Sequence, residues 1–129
     1  MEGADMRRVL IVEDEVLQRE ALLDKFQKSG FVVSAAKDGE EAIQLLHEGD
    51  NGYDVVILDL ILPKMDGYTV LENMQQNHIE VPVVVLSALG QQEEKARAEA
   101  FGIKAYFVKT DTTLEEVIGF VKGLLAEGN

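Results

Sequence analysis

Short aliphatic runs alternate with longer amphipathic stretches along this chain. Val9-Leu-Ile-Val12, Phe31-Val-Val33, Val55-Val-Ile-Leu58, Val83-Val-Val-Leu86 and Tyr106-Phe-Val108 are too short and too rich in β-branched and aromatic side chains to favour helices, and fit strands of a buried sheet. Segments of helical length lie between them. In the last one Leu114, Val117, Ile118, Val121, Leu124 and Leu125 recur on one helical face, and Thr112 with Glu115 offers a capping box. Gly30 and Gly102 stand where the first and fourth helices should stop before the next strand. Five strands alternating with five helices predict a parallel sheet covered on both faces, because parallel strands need crossover connections and these are right-handed. No repeat, linker or low-complexity tract interrupts the pattern, so residues 1–129 read as one domain. Only the first few residues and Ala126-Glu-Gly-Asn129 look like tails.

Composition removes several classes of function. The balance of 47% apolar and 28% charged residues is that of an ordinary globular domain. With 24 acidic and 12 basic residues the formal charge is −12 at pH 7, so nucleic acid and anionic membrane should repel the chain, and no local basic patch offsets this. Direct binding to either is not expected. The absence of cysteine excludes disulfides and thiolate metal sites. No apolar run approaches membrane-spanning length and MEGADMRR has no apolar leader core, so a cytoplasmic location is expected.

Candidate chemistry gathers at the strand ends. In a doubly wound sheet the ligand site lies outside the carboxyl ends of the strands, where the chain order reverses. With strand order 2-1-3-4-5, strands one and three are neighbours. Strand one runs into Glu13-Asp14 and strand three into Asp59, an aspartate set among aliphatic residues otherwise suited to burial on both faces. Three converging carboxylates must protonate, bind a metal or recruit a basic side chain. Oxygen ligands without Cys or His suit Mg²⁺. Strand four supplies Ser87 and strand five Lys109, so the pocket would hold a carboxylate nucleophile, a metal site, an ammonium and a hydroxyl. Phosphoryl transfer asks for these parts.

On these residues the chain closely resembles the CheY-like receiver domains of bacterial two-component response regulators, over roughly Arg7 to Leu125. Glu13-Asp14 matches the family's acidic pair, Asp59 its phosphoacceptor, Ser87-Ala88 its switch hydroxyl and small neighbour, and Lys109 its lysine. Pro63 and Asp66-Gly67 match the loop after the acceptor, and Tyr106 the switch aromatic. The resemblance implies a flavodoxin-like fold. It also implies phosphorylation of Asp59 by a histidine kinase or histidine phosphotransfer domain, with Mg²⁺ held by Asp14, Asp59, the backbone carbonyl of Ile61 and, through water, Glu13. Lys109 would pair with the phosphoryl oxygens. Ser87 and Tyr106 would then move and alter the surface of helix four, strand five and helix five, which would control a downstream protein or an output domain outside this chain. A monomer, or a weak dimer through that same surface, is implied. The chain would catalyse only its own phosphorylation and slow dephosphorylation, slow because Ile61 and Leu89 flank the approach of water and neither can position one.

Plainer readings stand beside these. An acidic pair at a strand end is by itself a solvated turn, Ser87 alone a helix cap, and Tyr106 alone a packing residue. His47 and His78, with no second ligand near them in sequence, read as surface residues, and Gln91 to Glu99 as the wet face of helix four. A flavin carrier shares this fold, but it needs a hydroxyl- and glycine-rich phosphate loop where this chain has Glu13-Asp14-Glu15. A Mg²⁺-dependent phosphatase would need a second catalytic acid. A receiver that only binds partners is the nearest alternative, because Thr110 stands where the family has a proline after the lysine. A non-proline cis bond costs about 3 kcal/mol, so a trans Lys109–Thr110 bond is expected, which bears on the reach of Lys109.

Overall fold

A computed structural model describes residues 7–48 and 52–127. Five strands, β1 (Arg8–Val12), β2 (Val32–Ala36), β3 (Val55–Leu58), β4 (Val83–Ser87) and β5 (Ala105–Val108), alternate with five helices, α1 (Val16–Lys28), α2 (Gly39–His47), α3 (Gly67–Gln76), α4 (Gln92–Glu99) and α5 (Leu114–Glu127). The sheet is parallel and ordered β2-β1-β3-β4-β5, as expected of a doubly wound, flavodoxin-like fold. The chain leaves β1 towards β2 on one side and returns to β3 on the other. The carboxyl ends of β1 and β3 therefore meet at the reversal.

Strand residues alternate between two cores, which is the period of two made physical. Leu10, Val12, Val56, Leu58, Val83 and Val85 face α2, α3 and α4 through Ala42, Leu46, Val70, Leu71, Met74 and Ala98. Val9, Ile11, Val55, Ile57, Val84 and Leu86 face α1 and α5 through Leu22, Phe26, Val117, Ile118 and Val121. Phe26 is completely buried and meets Phe31 edge to face at 5.4 Å, a contact that stabilises the return from α1 into β2 by about 1 kcal/mol beyond its burial.

Three local expectations are corrected. Phe31 precedes β2, which runs on through Ser34, Ala35 and Ala36. As an edge strand paired only to β1, β2 has no need of a continuous aliphatic run. The capping box of α5 lies one residue later than Thr112 and Glu115. Glu116 accepts from the Thr113 N–H at 2.8 Å, and Thr113 Oγ1 accepts from the Glu116 N–H at 3.1 Å. Glu115 instead pairs with Lys25 of α1 at 2.7 Å, and the Thr112 hydroxyl donates to the Val108 carbonyl at 2.8 Å. Finally, α5 continues through Ala126 to Glu127, two residues expected in a tail. The other expected tail residues lie outside the described ones.

Two features aim the site. Gly67 opens α3 directly beneath the end of β3, and a Cβ there would lie 2.7 Å from both the Asp59 carbonyl oxygen and the Leu60 Cα. Those atoms are backbone and cannot swing aside, so Gly67→Ala is expected to displace the Asp59 loop and destabilise the domain by about 1–3 kcal/mol. Chemical denaturation checks this, and an unchanged midpoint would show that the loop yields. The second feature is α4, whose single buried residue is Ala98. It is tied to α3 by the Tyr68 hydroxyl, which donates to Glu94 Oε1 at 2.6 Å and reaches the Glu94 carbonyl at 3.1 Å. Arg97 lies over the Tyr68 ring at 3.7 Å. Glu94 and Arg97 therefore bridge to the body of the domain, and the Gln91–Glu99 segment is not only a solvated face.

Candidate functional site

Every strand but the β2 edge delivers a polar side chain to one mouth. Glu13 follows β1 and Asp59 follows β3, and they are only 1% and 4% exposed. Ser87 ends β4 fully buried, and Lys109 follows β5 with its side chain 20% exposed. The Lys109 ammonium donates to Glu13 Oε1 at 2.7 Å and to Asp59 Oδ2 at 2.8 Å. The remaining carboxylate oxygens are also engaged: Glu15 N–H donates to Glu13 Oε2 at 3.1 Å and Ile61 N–H to Asp59 Oδ1 at 3.0 Å. Burying two carboxylates is tolerable because each is paired and hydrogen-bonded.

Asp14, at the exposed rim, completes an acidic cluster in which one oxygen each from Glu13, Asp14 and Asp59 lies within 4.8 Å of the others. Burial, more than any other influence, pushes the Glu13 carboxyl above its ordinary pKa. Burial also opposes the Lys109 ammonium, but its hydrogen bonds to Asp59 and Glu13 outweigh this and leave its pKa above the ordinary lysine value. The Lys109 direction reflects a pocket with more carboxylates than cations, in which a further cation is welcome. The donor set is carboxylate oxygen without His or Cys, so a hard divalent cation such as Mg²⁺ fits these residues.

Ser87 and Tyr106 meet at the loop leaving β4. Ser87 Oγ accepts from the Leu89 N–H at 3.2 Å, while the Tyr106 hydroxyl donates to the Leu89 carbonyl at 2.6 Å. Tyr106 is half-buried, and burial, the largest influence, pushes its phenol above the ordinary value. Ile61 is 49% exposed beside Asp59, and Leu89 is half-buried. Among the described residues no peptide bond is cis, so Lys109–Thr110 is trans, and Lys109 reaches Asp59 and Glu13 all the same. His47 and His78 are exposed and outside the site; His47 Nε2 contacts Asn73 Oδ1 at 2.8 Å.

Sequence reasoning passed over three contributors. Arg19 of α1 donates to the Glu13 and Asp14 carbonyls at 3.0 and 3.1 Å, fixing the backbone that carries the acidic pair. Gln18 Oε1 accepts from the Lys109 ammonium at 2.6 Å. Asp38, buried between β2 and α2, accepts from the Glu41 N–H at 2.8 Å and lies 3.7 Å from Lys64 of the β3–α3 loop. The spacing Asp38-x-x-Glu41 could have marked the start of α2; nothing in sequence signals the Gln18 contact.

The parallel doubly wound sheet, with acids at its switch point and a lysine across the mouth, is the architecture of a receiver-type signalling domain. Residues 9–118 match the response regulator receiver domain, and the chain belongs to that family, the receiver domains of two-component response regulators. It is 39% identical over 102 residues to the probable transcriptional regulator ycf27 of Guillardia theta, covering 79% of this chain and 39% of the relative. The chain spans about half or less of the curated relatives it matches, 39–52% of their length. Among solved structures, the receiver domain of the Francisella response regulator 1452 superposes with a TM-score of 0.87 at 29% identity, covering 95% of this chain and 99% of that one. The response regulator TrrA of Thermotoga maritima, in complex with Mg(2+)-BeF, gives 0.79 at 29% identity over 92% and 99%.

Proposed function

We propose that Asp59 accepts a phosphoryl group from a histidine kinase or a histidine phosphotransfer domain. The observation carrying this reading is a buried carboxylate held 2.8 Å from an ammonium at the switch point, with two further acids beside it. A carboxylate oxygen of Asp59 attacks the phosphorus of a phosphohistidine. The O–P bond forms as the P–N bond breaks, and the electron pair of the broken bond returns to the imidazole nitrogen. Lys109 pairs with the phosphoryl oxygens. Asp14, Asp59 and the Ile61 carbonyl would hold Mg²⁺, with Glu13 acting through water, and the bound ion supplies positive charge to the transferring group. The Mg(2+)-BeF complex of TrrA supports extending the ion to this chain.

Leu89 links that event to the surface. Its N–H rests on Ser87 and its carbonyl on Tyr106, so a Ser87 hydroxyl that turns to the phosphoryl group disturbs both ends of one residue. Tyr106 then follows, and the face of α4, β5 and α5 changes. That face would control a partner or an output domain, as the relatives named transcriptional regulators suggest. We place the chain in the cytoplasm as a monomer or a weak dimer through the same face. Thr110 favours a second reading, a receiver that binds partners without chemistry, but Lys109 reaches Asp59 despite it.

The test is incubation with a small acyl phosphate and Mg²⁺, followed by mass spectrometry. One hydroxylamine-labile phosphoryl group on Asp59 is expected; a chain that takes none is a binding module. The phosphoryl group should also be long-lived, because Ile61 and Leu89 cannot orient a water for attack. Introducing Ile61→Asn together with Leu89→Glu is expected to speed its loss by about a hundredfold, and equal decay in parent and variant would remove water access as the cause.

A further inference from the structure

An ammonium has three N–H donors, and all those of Lys109 are taken: Glu13 at 2.7 Å, Asp59 at 2.8 Å and Gln18 at 2.6 Å. The three acceptors are not equivalent. In the resting site Glu13 and Asp59 are both buried carboxylates, and withdrawing the ammonium from either before the O–P bond forms strands a charge away from water. Gln18 is neutral and exposed on α1, and its own amide donates to Glu15 Oε1 one turn back. Its bond to Lys109 is therefore the cheapest of the three to exchange. We infer that Gln18 is a positioning residue for phosphoryl transfer: its side-chain carbonyl holds the ammonium hydrogen of Lys109 that an incoming phosphoryl oxygen takes over.

This rests on the reading of Asp59 as the acceptor. It follows that Gln18 stabilises the resting site and not the phosphorylated one, so that its removal shifts the balance towards the loaded state. A merely structural contact would weaken the site whichever residue replaced it. The charge at position 18 instead predicts opposite signs. Alanine releases Lys109 to solvent, whereas glutamate grips it harder and adds a negative charge beside the arriving anion.

The experiment compares wild type, Gln18→Ala and Gln18→Glu in two measurements. The first is titration with beryllofluoride and Mg²⁺, followed by NMR. Gln18→Ala is expected to bind about fivefold more tightly, the worth of one exposed hydrogen bond, and Gln18→Glu more weakly than wild type. The second needs no metal: the rate of Lys109 acylation by a small amine-reactive ester, read by peptide mass spectrometry, should rise in Gln18→Ala and fall in Gln18→Glu. If wild type binds beryllofluoride but the two variants shift together or not at all, the role of Gln18 is overturned and the acceptor reading stands. If wild type binds none, the acceptor reading is overturned and this inference with it.

Discussion

Asp59→Asn is expected to accept no phosphoryl group from an acyl phosphate or a kinase, while the domain keeps its fold. An amide oxygen is uncharged and a poor nucleophile beside a carboxylate oxygen, and the amide nitrogen's lone pair is delocalised into the carbonyl. The effect on stability is the balance of two small quantities. Relief of crowding among Glu13, Asp14 and Asp59 favours the variant. Against it, one atom of the new amide is a donor facing the Lys109 ammonium, although the other can still accept from the Ile61 N–H. Lys109 retains Glu13 and Gln18, so the net change should stay within about 1 kcal/mol. Mass spectrometry and denaturant unfolding read the two outcomes separately. Phosphate uptake at the parental rate would remove Asp59 as the acceptor.

Lys109→Met should be the most damaging single change at the site. Methionine matches the length of lysine but leaves Glu13 and Asp59 buried without their cation, which costs on the order of 3 kcal/mol. The 20% exposure of the lysine side chain lets water recover part of that. The deficit should depend on pH with a definite sign. The folded-state pKa of Glu13 already lies above its ordinary value, chiefly through burial, and losing Lys109 raises it further. A group shifted upward contributes stability below its unfolded pKa and loses it as pH rises through the folded one. The variant should therefore be weakest at neutral pH and recover as pH falls towards the ordinary carboxylate range. Mg²⁺ at neutral pH should also narrow the gap. Unfolding curves across pH, with and without Mg²⁺, check both; a deficit independent of either would mean that Lys109 stabilises by packing alone.

The fold was legible because each central strand is buried on two faces and so had to be written in aliphatic residues. Val55–Leu58 is the clearest case, and its structure matches its sequence pattern residue for residue. β2 was harder because an edge strand tolerates Ser34 and two alanines. The capping residues of α5 were ambiguous in principle, since Thr112-Thr113 and Glu115-Glu116 offer the same spacing twice and only the tertiary pairing of Glu115 with Lys25 decides between them. At the mouth, Glu13, Asp59, Ser87 and Lys109 could be foreseen because polar groups at the ends of apolar strands stand out. Gln18 and Arg19 could not, being two polar residues among many on an exposed helix. Their partners are an ammonium contributed from β5 and two backbone carbonyls, neither of which leaves a trace in local sequence.

The sparse attachment of α4 bears on how far a small chemical event can carry. Within its own span α4 buries one alanine, and it is tied to α3 by the Tyr68–Glu94 hydrogen bonds and by Arg97 over the Tyr68 ring, so little apolar area opposes a change in its placement. Reversing a two-state population from 1:99 to 99:1 requires about 5.5 kcal/mol of differential binding, and a helix anchored by a full apolar face would demand more than a few new hydrogen bonds provide. The turned hydroxyl at Ser87 and displaced Leu89 of the proposed switch would be commensurate with a helix held this lightly. Under the proposed function, the economy of α4's packing would bring its repositioning within the energetic reach of a single phosphoryl group.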